Sequence, residues 1–482
     1  MLDFRNIKTI SIIGGGTAGW FAALTLKKMF DSNITVQLIE SPQIGIVGVG
    51  EGGLINLIQA LNNLNIPTSE FMLETGASFK WGFCYEGWRT GLKDDEYYHL
   101  FTDPKVRPFS LNFDGFYPEV CSIISQHIPL SNVTPAFSAI RNRVSQSEAA
   151  KILTHGDQGI SSSLHFDSHR VAKFLAKKAE ERGVSHIQTK VKDILFDEQG
   201  MAEKIVTENG VIDTNFIIDA SGFSRFIIGH KLKSNWKSFK EYLLLDSAIP
   251  FHIPHQNNQP ELVTRATAMK AGWMWQIPLV ERIGAGYVFN SEFTSEEDAI
   301  KEVENYFDFK IEPQRTLKFE PGHFEEVWQK NVMALGLSSG FVEPLEATSI
   351  GQMLEQLRMF ENVVTKSGLV VSDLSIAQFN QANEASWQGI RDFLRMHYDC
   401  PRIDTPFWKK VNETPYPESY KAIKEVFMQR CPRTEDIKGY AQHGWNGIFH
   451  VINWIYVAQA LGLISADLCR DELVLLTSKI NQ

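Results

Sequence analysis

The chain has 482 residues, of which 43% are hydrophobic, 22% charged and 11% aromatic, including eleven tryptophans. That is enough to bury a large core over two or three domains, and it excludes a disordered, fibrous or low-complexity chain. A net charge of −10 at pH 7 argues against nucleic acid as a partner, because phosphate-backbone binders carry a basic stripe.

In chain order, Thr9–Ile13 is a short β-rich run, followed by Gly14-Gly-Gly-Thr-Ala-Gly19 and a helix-forming stretch from Trp20 to Lys28. A second strand, Ile34–Ile39, ends at Glu40, which completes a βαβ unit. A glycine-dense loop over 45–53 precedes a helix predicted at 54–64. From about 90 to 160 the pattern is irregular and aromatic, with Pro104, Pro108 and Pro118, and suggests an insertion. A helix then opens at Asp167/Ser168 and stops at Gly183. Phe216–Asp219 predicts a buried strand ending in a small-residue turn at Gly222. Residues 240–320 alternate strand-like runs with turns, and Val332–Gly336 predicts another strand before a helix from about Thr348. Beyond 355 the chain is mostly helical. The expected fold class is α/β, with a Rossmann-like GxGxxG domain of mixed sheets over 1–360. A mainly helical substrate-binding region is expected over 361–482.

The five cysteines (Cys84, Cys121, Cys400, Cys431, Cys469) are odd in number and widely spaced, so neither a disulfide framework nor a zinc site is expected. His165-x-Asp-x-His169 has metal-ligand types, but Asp167 reads as a helix cap and no metal is expected. The N-terminal apolar run breaks at three glycines and does not read as a signal peptide. Ile448–Ala466 carries His450, Asn453 and Gln459, and suits a buried helix better than a membrane span. A cytoplasmic protein without a membrane partner is expected.

GxGxxG alone is a weak signal, but here it closes a strand, opens a helix, and has Glu40 at the end of the next strand. Gly14 permits the tight turn, Gly16 lets a pyrophosphate approach the backbone, and Gly19 lets helix and strand pack closely. Thr17 and Ala18 lie at the helix N-terminus, whose N–H groups and dipole attract phosphate. Glu40 would accept hydrogen bonds from ribose hydroxyls. The later Asp219-Ala-Ser-Gly222 tilts the choice to FAD over NAD, and no second complete GxGxxG offers a nicotinamide domain.

Three further stretches are Gly272-Trp-Met-Trp-Gln-Ile-Pro278, Ser339-Gly-Phe-Val-Glu-Pro-Leu-Glu-Ala-Thr348 and Glu74-Thr-Gly-Ala-Ser-Phe-Lys-Trp-Gly82. With Gly14–Trp20 and Asp404-Thr-Pro-Phe-Trp408, they resemble the flavin-dependent tryptophan halogenase family over nearly the whole chain. The resemblance implies that a separate flavin reductase supplies reduced FAD, which reacts with O2 to give a flavin C4a-hydroperoxide. Halide attacks it, and the hypohalous acid passes through an internal channel to an electron-rich, indole-like aromatic substrate.

By the same resemblance Lys80 and Glu346 are catalytic. Thr348 and Ser349 line the halide site, and Gly48, Val49, Gly50 and Glu51 form a strap against FAD. Gly336 and Phe341 lie at the flavin, and Trp273 and Trp275 shield it from organic substrate. A lysine ammonium can hydrogen-bond hypohalous acid, and a carboxylate can stabilise and deprotonate the ring cation.

The chain departs from the family at Ala347, where serine is frequent, at Ser349, where glycine is frequent, and at Gly52-Gly53, where Ala-Thr is usual. An aromatic hydroxylase on the same fold is the alternative, and a flavoprotein-like binding module without chemistry is a further one. The natural substrate, the halide and any homo-oligomer remain open.

Overall fold

The computed structural model describes residues 1–30, 34–45, 48, 50–92, 94–102, 118–155, 159–255 and 259–480. Two large sheets organise it. The first has six strands in the order Trp328–Gln329, Val332–Ala334, Phe216–Asp219, Thr9–Ile13, Thr35–Glu40, Ser185–Gln188. All neighbours are parallel except the Trp328–Gln329 edge. Its central strands are buried on both faces, as in a sheet covered on both sides. The Thr17–Met29 helix crosses over between the first two parallel strands and packs against the helices Ser168–Glu181 and Thr348–Lys366. It starts three residues before the predicted Trp20, so Gly19 belongs to the helix and Gly16 is its N-cap.

The second sheet has seven strands in the order Leu317–Lys318, Ser247–Ile253, Ile283–Phe289, Gly272–Pro278, Thr264–Met269, Gly82–Glu86, Glu96–Leu100. It is antiparallel apart from the parallel pairing of Thr264–Met269 with Gly82–Glu86. A small third sheet ties Glu51–Gly52 and Ser78–Lys80 to opposite edges of Ser163–Phe166. Gly52 and Ser78 both pair with His165, and Lys80 pairs with Ser163, which sets the loop before Gly52 beside the lysine.

The 90–160 insertion is more regular than expected. Its described part contains the Glu96–Leu100 strand and the helices Pro118–Ser125, Pro135–Arg141 and Gln146–Thr154. Pro135, the first residue of its helix, occupies the position where a missing N–H costs nothing. Pro104 and Pro108 lie outside the described residues. The C-terminal part is helical as expected, led by Asp373–His397. The expected boundary at 360/361 falls inside Thr348–Lys366. Asp373–His397 gives Phe379 to the core of the parallel sheet and Phe393 to the aromatic core of the second sheet. Among the described residues no helix is long and apolar enough to cross a membrane.

Candidate active site

The glycine turn is built by close backbone approach. A side chain on Gly14 would strike the carbonyl of Ala220, and one on Gly19 would strike the carbonyl of Gly14. Gly16 differs, because a methyl added there meets nothing within 4 Å. The Thr17–Met29 helix has no side-chain N-cap, so its first N–H groups open into that space. Gly222 also faces open space. Ser338 Oγ donates to the Gly222 carbonyl at 3.3 Å, and Gly336 lies against Ala18. Phe341 packs edge-on to Phe223 with centroids 4.9 Å apart. The predicted segments at 14–19, 219–222 and 336–341 thus converge on one open cradle, which fits a dinucleotide.

Two acids in this region have other duties. Glu40 Oε1 meets His186 Nε2 at 2.7 Å. Asp219 is fully buried and accepts the N–H groups of Ser221, Ile227 and Ile228, which holds the turn in shape. In the strap, Gly50 faces Leu279 and Gly284, and Ser168 donates to Glu51 at 2.9 Å. Burial pushes the Glu51 carboxyl up to about 7, against that hydrogen bond. Gly48 lies over the Ser168 hydroxyl, whereas Val49 lies outside the described residues.

Lys80 is fully buried at the end of Ser78–Lys80. Its Nζ stands 3.8 Å from the Phe83 ring centroid and finds no hydrogen-bond partner among the described residues. Burial lowers its pKa to about 7, with the nearby Glu346 carboxylate opposing that fall. A methyl on Gly52 would lie 2.7 Å from this Nζ, so the missing side chain makes room for the ammonium.

Glu346 enters the same chamber from a short 3-10 turn, Leu345–Ala347, in which Glu346 and Ala347 both have left-handed backbone (φ 64° and 53°). Two consecutive non-glycine residues in that region are costly, and such strain gathers where a side chain must be aimed. Oε1 accepts from Tyr85 at 2.5 Å and His99 Nδ1 at 2.7 Å, and His397 Nε2 lies at 3.3 Å. Oε2 is buried without a partner among the described residues. Burial works to raise the carboxyl pKa, but His99 and His397 outweigh it and hold the group well below the usual carboxylate range.

Thr348 Oγ1 and Ser349 Oγ are buried without partners among the described residues, at the first turn of the Thr348–Lys366 helix. Trp273 and Trp275 share one face of Gly272–Pro278 with centroids 6.4 Å apart, and the Trp275 ring presses on Gly286. Trp273 Nε1–H donates to Glu343 at 3.2 Å and Tyr398 donates to the same oxygen. Burial raises the Glu343 carboxyl to about 7.

Sequence reasoning missed Tyr85, His397, Asn453 and Glu343 as site residues, while His99 lies in Tyr97–Phe101, a segment that resembles the family's substrate side only in part. Glu343 and Tyr85 sit within or just beyond quoted motifs; nothing in the sequence points to His397. His165 donates to or accepts from Thr264 at 2.9 Å, and Asp167 caps its helix and pairs with Arg282. Among the described residues only Cys84, Glu86 and Glu96 bring possible metal ligands together, and the Arg265 guanidinium sits on that group.

Residues 9–471 match the family model described as tryptophan halogenase. The chain belongs to the tryptophan halogenase family. It is 39% identical over 464 residues to an uncharacterized protein of Sinorhizobium fredii, covering 96% of this chain and 92% of that one. It is 31% identical over 490 residues to the tryptophan 7-halogenase RebH of Lentzea aerocolonigenes, covering 95% and 90%. A solved flavin-dependent halogenase from Xanthomonas campestris superposes with a TM-score of 0.80 at 28% identity, over 98% of this chain and 96% of that one. This halogenase is therefore a flavin-dependent halogenating enzyme, and the hydroxylase alternative is not favoured.

Proposed function

We propose that this halogenase binds reduced FAD in the cradle of Gly14, Gly16, Thr17, Ala18, Gly19, Gly222, Gly336 and Phe341, under the strap of Gly48–Glu51. Glu40, paired with His186 through Oε1, takes the ribose through its other oxygen, and Asp219 shapes the cradle from beneath. A separate flavin reductase supplies the cofactor, and halide sits by Thr348 and Ser349. With O2, reduced FAD supplies the oxidising equivalent that converts halide to hypohalous acid. Trp273 and Trp275 fill the space between flavin and substrate, so that only a small oxidant crosses.

The observation that carries this reading is the pair at the chamber: a buried Lys80 Nζ without a partner among the described residues, beside a carboxylate that they anchor through one oxygen. Lys80 donates to hypohalous acid and draws electron density from the O–X bond. The aromatic ring, indole-like because the named relatives act on tryptophan, takes the halogen. Glu346 Oε2 then removes the ring proton. Protein, FAD, a reductase with NADH, O2 and bromide are incubated with a panel of indoles, pyrroles and phenols and analysed by mass spectrometry. The expected product has one hydrogen replaced by bromine; an oxygenated product formed equally without halide would overturn the assignment.

A further inference from the structure

Glu346 presents its two oxygens unequally: Oε1 holds two aligned donors, and Oε2 holds none among the described residues. The cause lies one residue beyond the carboxylate's own partners. Asn453 stands in the first turn of the Val451–Ala460 helix, and the His450 N–H donates to its Oδ1 at 2.8 Å. That bond fixes the amide, so Nδ2 faces His99 Nε2 at 3.0 Å. An amide nitrogen only donates, so His99 Nε2 must accept. A neutral imidazole that accepts at Nε2 carries its proton on Nδ1, 2.7 Å from Glu346 Oε1.

His397 is not fixed this way. Its Nε2 lies 3.3 Å from the same oxygen without hydrogen-bond alignment, and its Nδ1 faces Tyr97 OH at 3.2 Å.

We propose that Asn453 is a positioning residue for removal of the ring proton: it holds His99 as an Nδ1–H donor, which pins Glu346 Oε1 and leaves Oε2 as the basic atom. In this step the C–H bond of the halogenated ring carbon breaks, its electron pair returns to the aromatic system, and the proton goes to Oε2. The proposal rests on Glu346 being the base.

Asn453→Asp is the informative variant, because its Oδ1 still caps the His450 N–H while the donor toward His99 becomes an acceptor. Nitrogen-15 NMR of histidine-labelled protein, with His99 assigned by the His99→Gln spectrum, reads the tautomer. Wild type should show Nδ1 protonated and Nε2 bare; Asn453→Asp should show Nε2 protonated. Turnover of indole and of ring-deuterated indole, with bromide, reads the chemistry. Wild type should show no isotope effect, since proton loss is fast. Asn453→Asp should lose about tenfold in turnover and gain a normal primary isotope effect, because proton loss now limits the rate. A fold defect alone would lower turnover without an isotope effect and overturn the proposal, as would a wild-type His99 protonated at Nε2. If Asn453→Asp keeps full turnover while Glu346→Gln is inactive, the proposal fails and the base survives. If Glu346→Gln is also fully active, the base assignment has failed as well.

Discussion

The flavin cradle and the halogenation chamber are built by opposite means. In the cradle the chain withdraws its side chains: Gly14, Gly16 and Gly19 shape a turn, and the nearby acids Glu40 and Asp219 are already bonded to His186 and to backbone N–H groups. In the chamber the chain commits charge, burying Lys80 and Glu346 to 0% and 1% exposure beside two histidines and a tyrosine. A cofactor with its own reactivity needs shape, whereas an oxidant as small as hypohalous acid has little to grip and must be steered by electrostatics. The two regions should therefore fail differently.

Lys80→Met gives the largest effect. Halogenation should fall by about a thousandfold or more while the affinity for FAD is unchanged, because in the proposed mechanism the lost group acts on the transferred halogen alone. Product assays beside flavin fluorescence titration separate the two; parallel losses would merge cradle and chamber into one site.

The same variant tests the cost of the buried charge. In the unfolded chain Lys80 titrates near its ordinary 10.5, and in the folded protein at about 7. Below pH 7 both states hold the proton, and the native state carries the whole penalty. Between 7 and 10.5 the unfolded chain binds a proton that the native state lacks, so native stability rises with pH. Wild type should thus be less stable than Lys80→Met by on the order of a few kcal/mol at pH 6, converging with it towards pH 10. Denaturation of both proteins across that range checks the sign, and a gap that widens with pH would refute it.

The glycine turn of the cradle was legible in the sequence because its determinants are contiguous: a turn that needs glycine reports itself within six residues. The chamber was legible only at Lys80 and Glu346, through motif resemblance. Its other members come from several elements: strand register brings Tyr85 and His99 together, while His397 and Asn453 arrive on helices. Phe83 pairs with His99 and Tyr85 with Tyr97, which makes Tyr85 and His99 diagonal neighbours on one sheet face. No periodicity in the sequence predicts that register, nor the return of Asn453 to His99 across 354 positions. The helices of the insertion were hidden for another reason: Pro118 looked like a breaker and lies in a helix.

Two glycines sharpen the comparison at lower amplitude. Gly16→Val should leave folding intact, since the space is open, and weaken FAD by about 10- to 100-fold by filling the phosphate cradle. Gly52→Ala should leave FAD binding and melting temperature near wild type, because the atom it displaces is the flexible end of Lys80. A shift of that ammonium by a fraction of an ångström should lower halogenation by about tenfold. If Gly52→Ala weakened FAD and spared halogenation, Gly52 would belong to the strap and the cradle rather than to the chamber.

The smallest effect is expected between the two regions, at Thr348. Its hydroxyl is buried without a partner among the described residues, at the start of a 19-residue helix whose N-cap, Ala347, offers no side-chain acceptor. A halide there gains a neutral hydrogen bond and the positive end of the helix dipole, and Thr348→Ala removes only the first of these. One such bond is worth about 1 kcal/mol, so the half-saturating bromide concentration should rise about fivefold, with maximal turnover and FAD affinity little changed. Bromide titration at saturating FAD reads this directly. An unchanged bromide requirement would move the halide away from Thr348 and leave the helix start with only its backbone to offer.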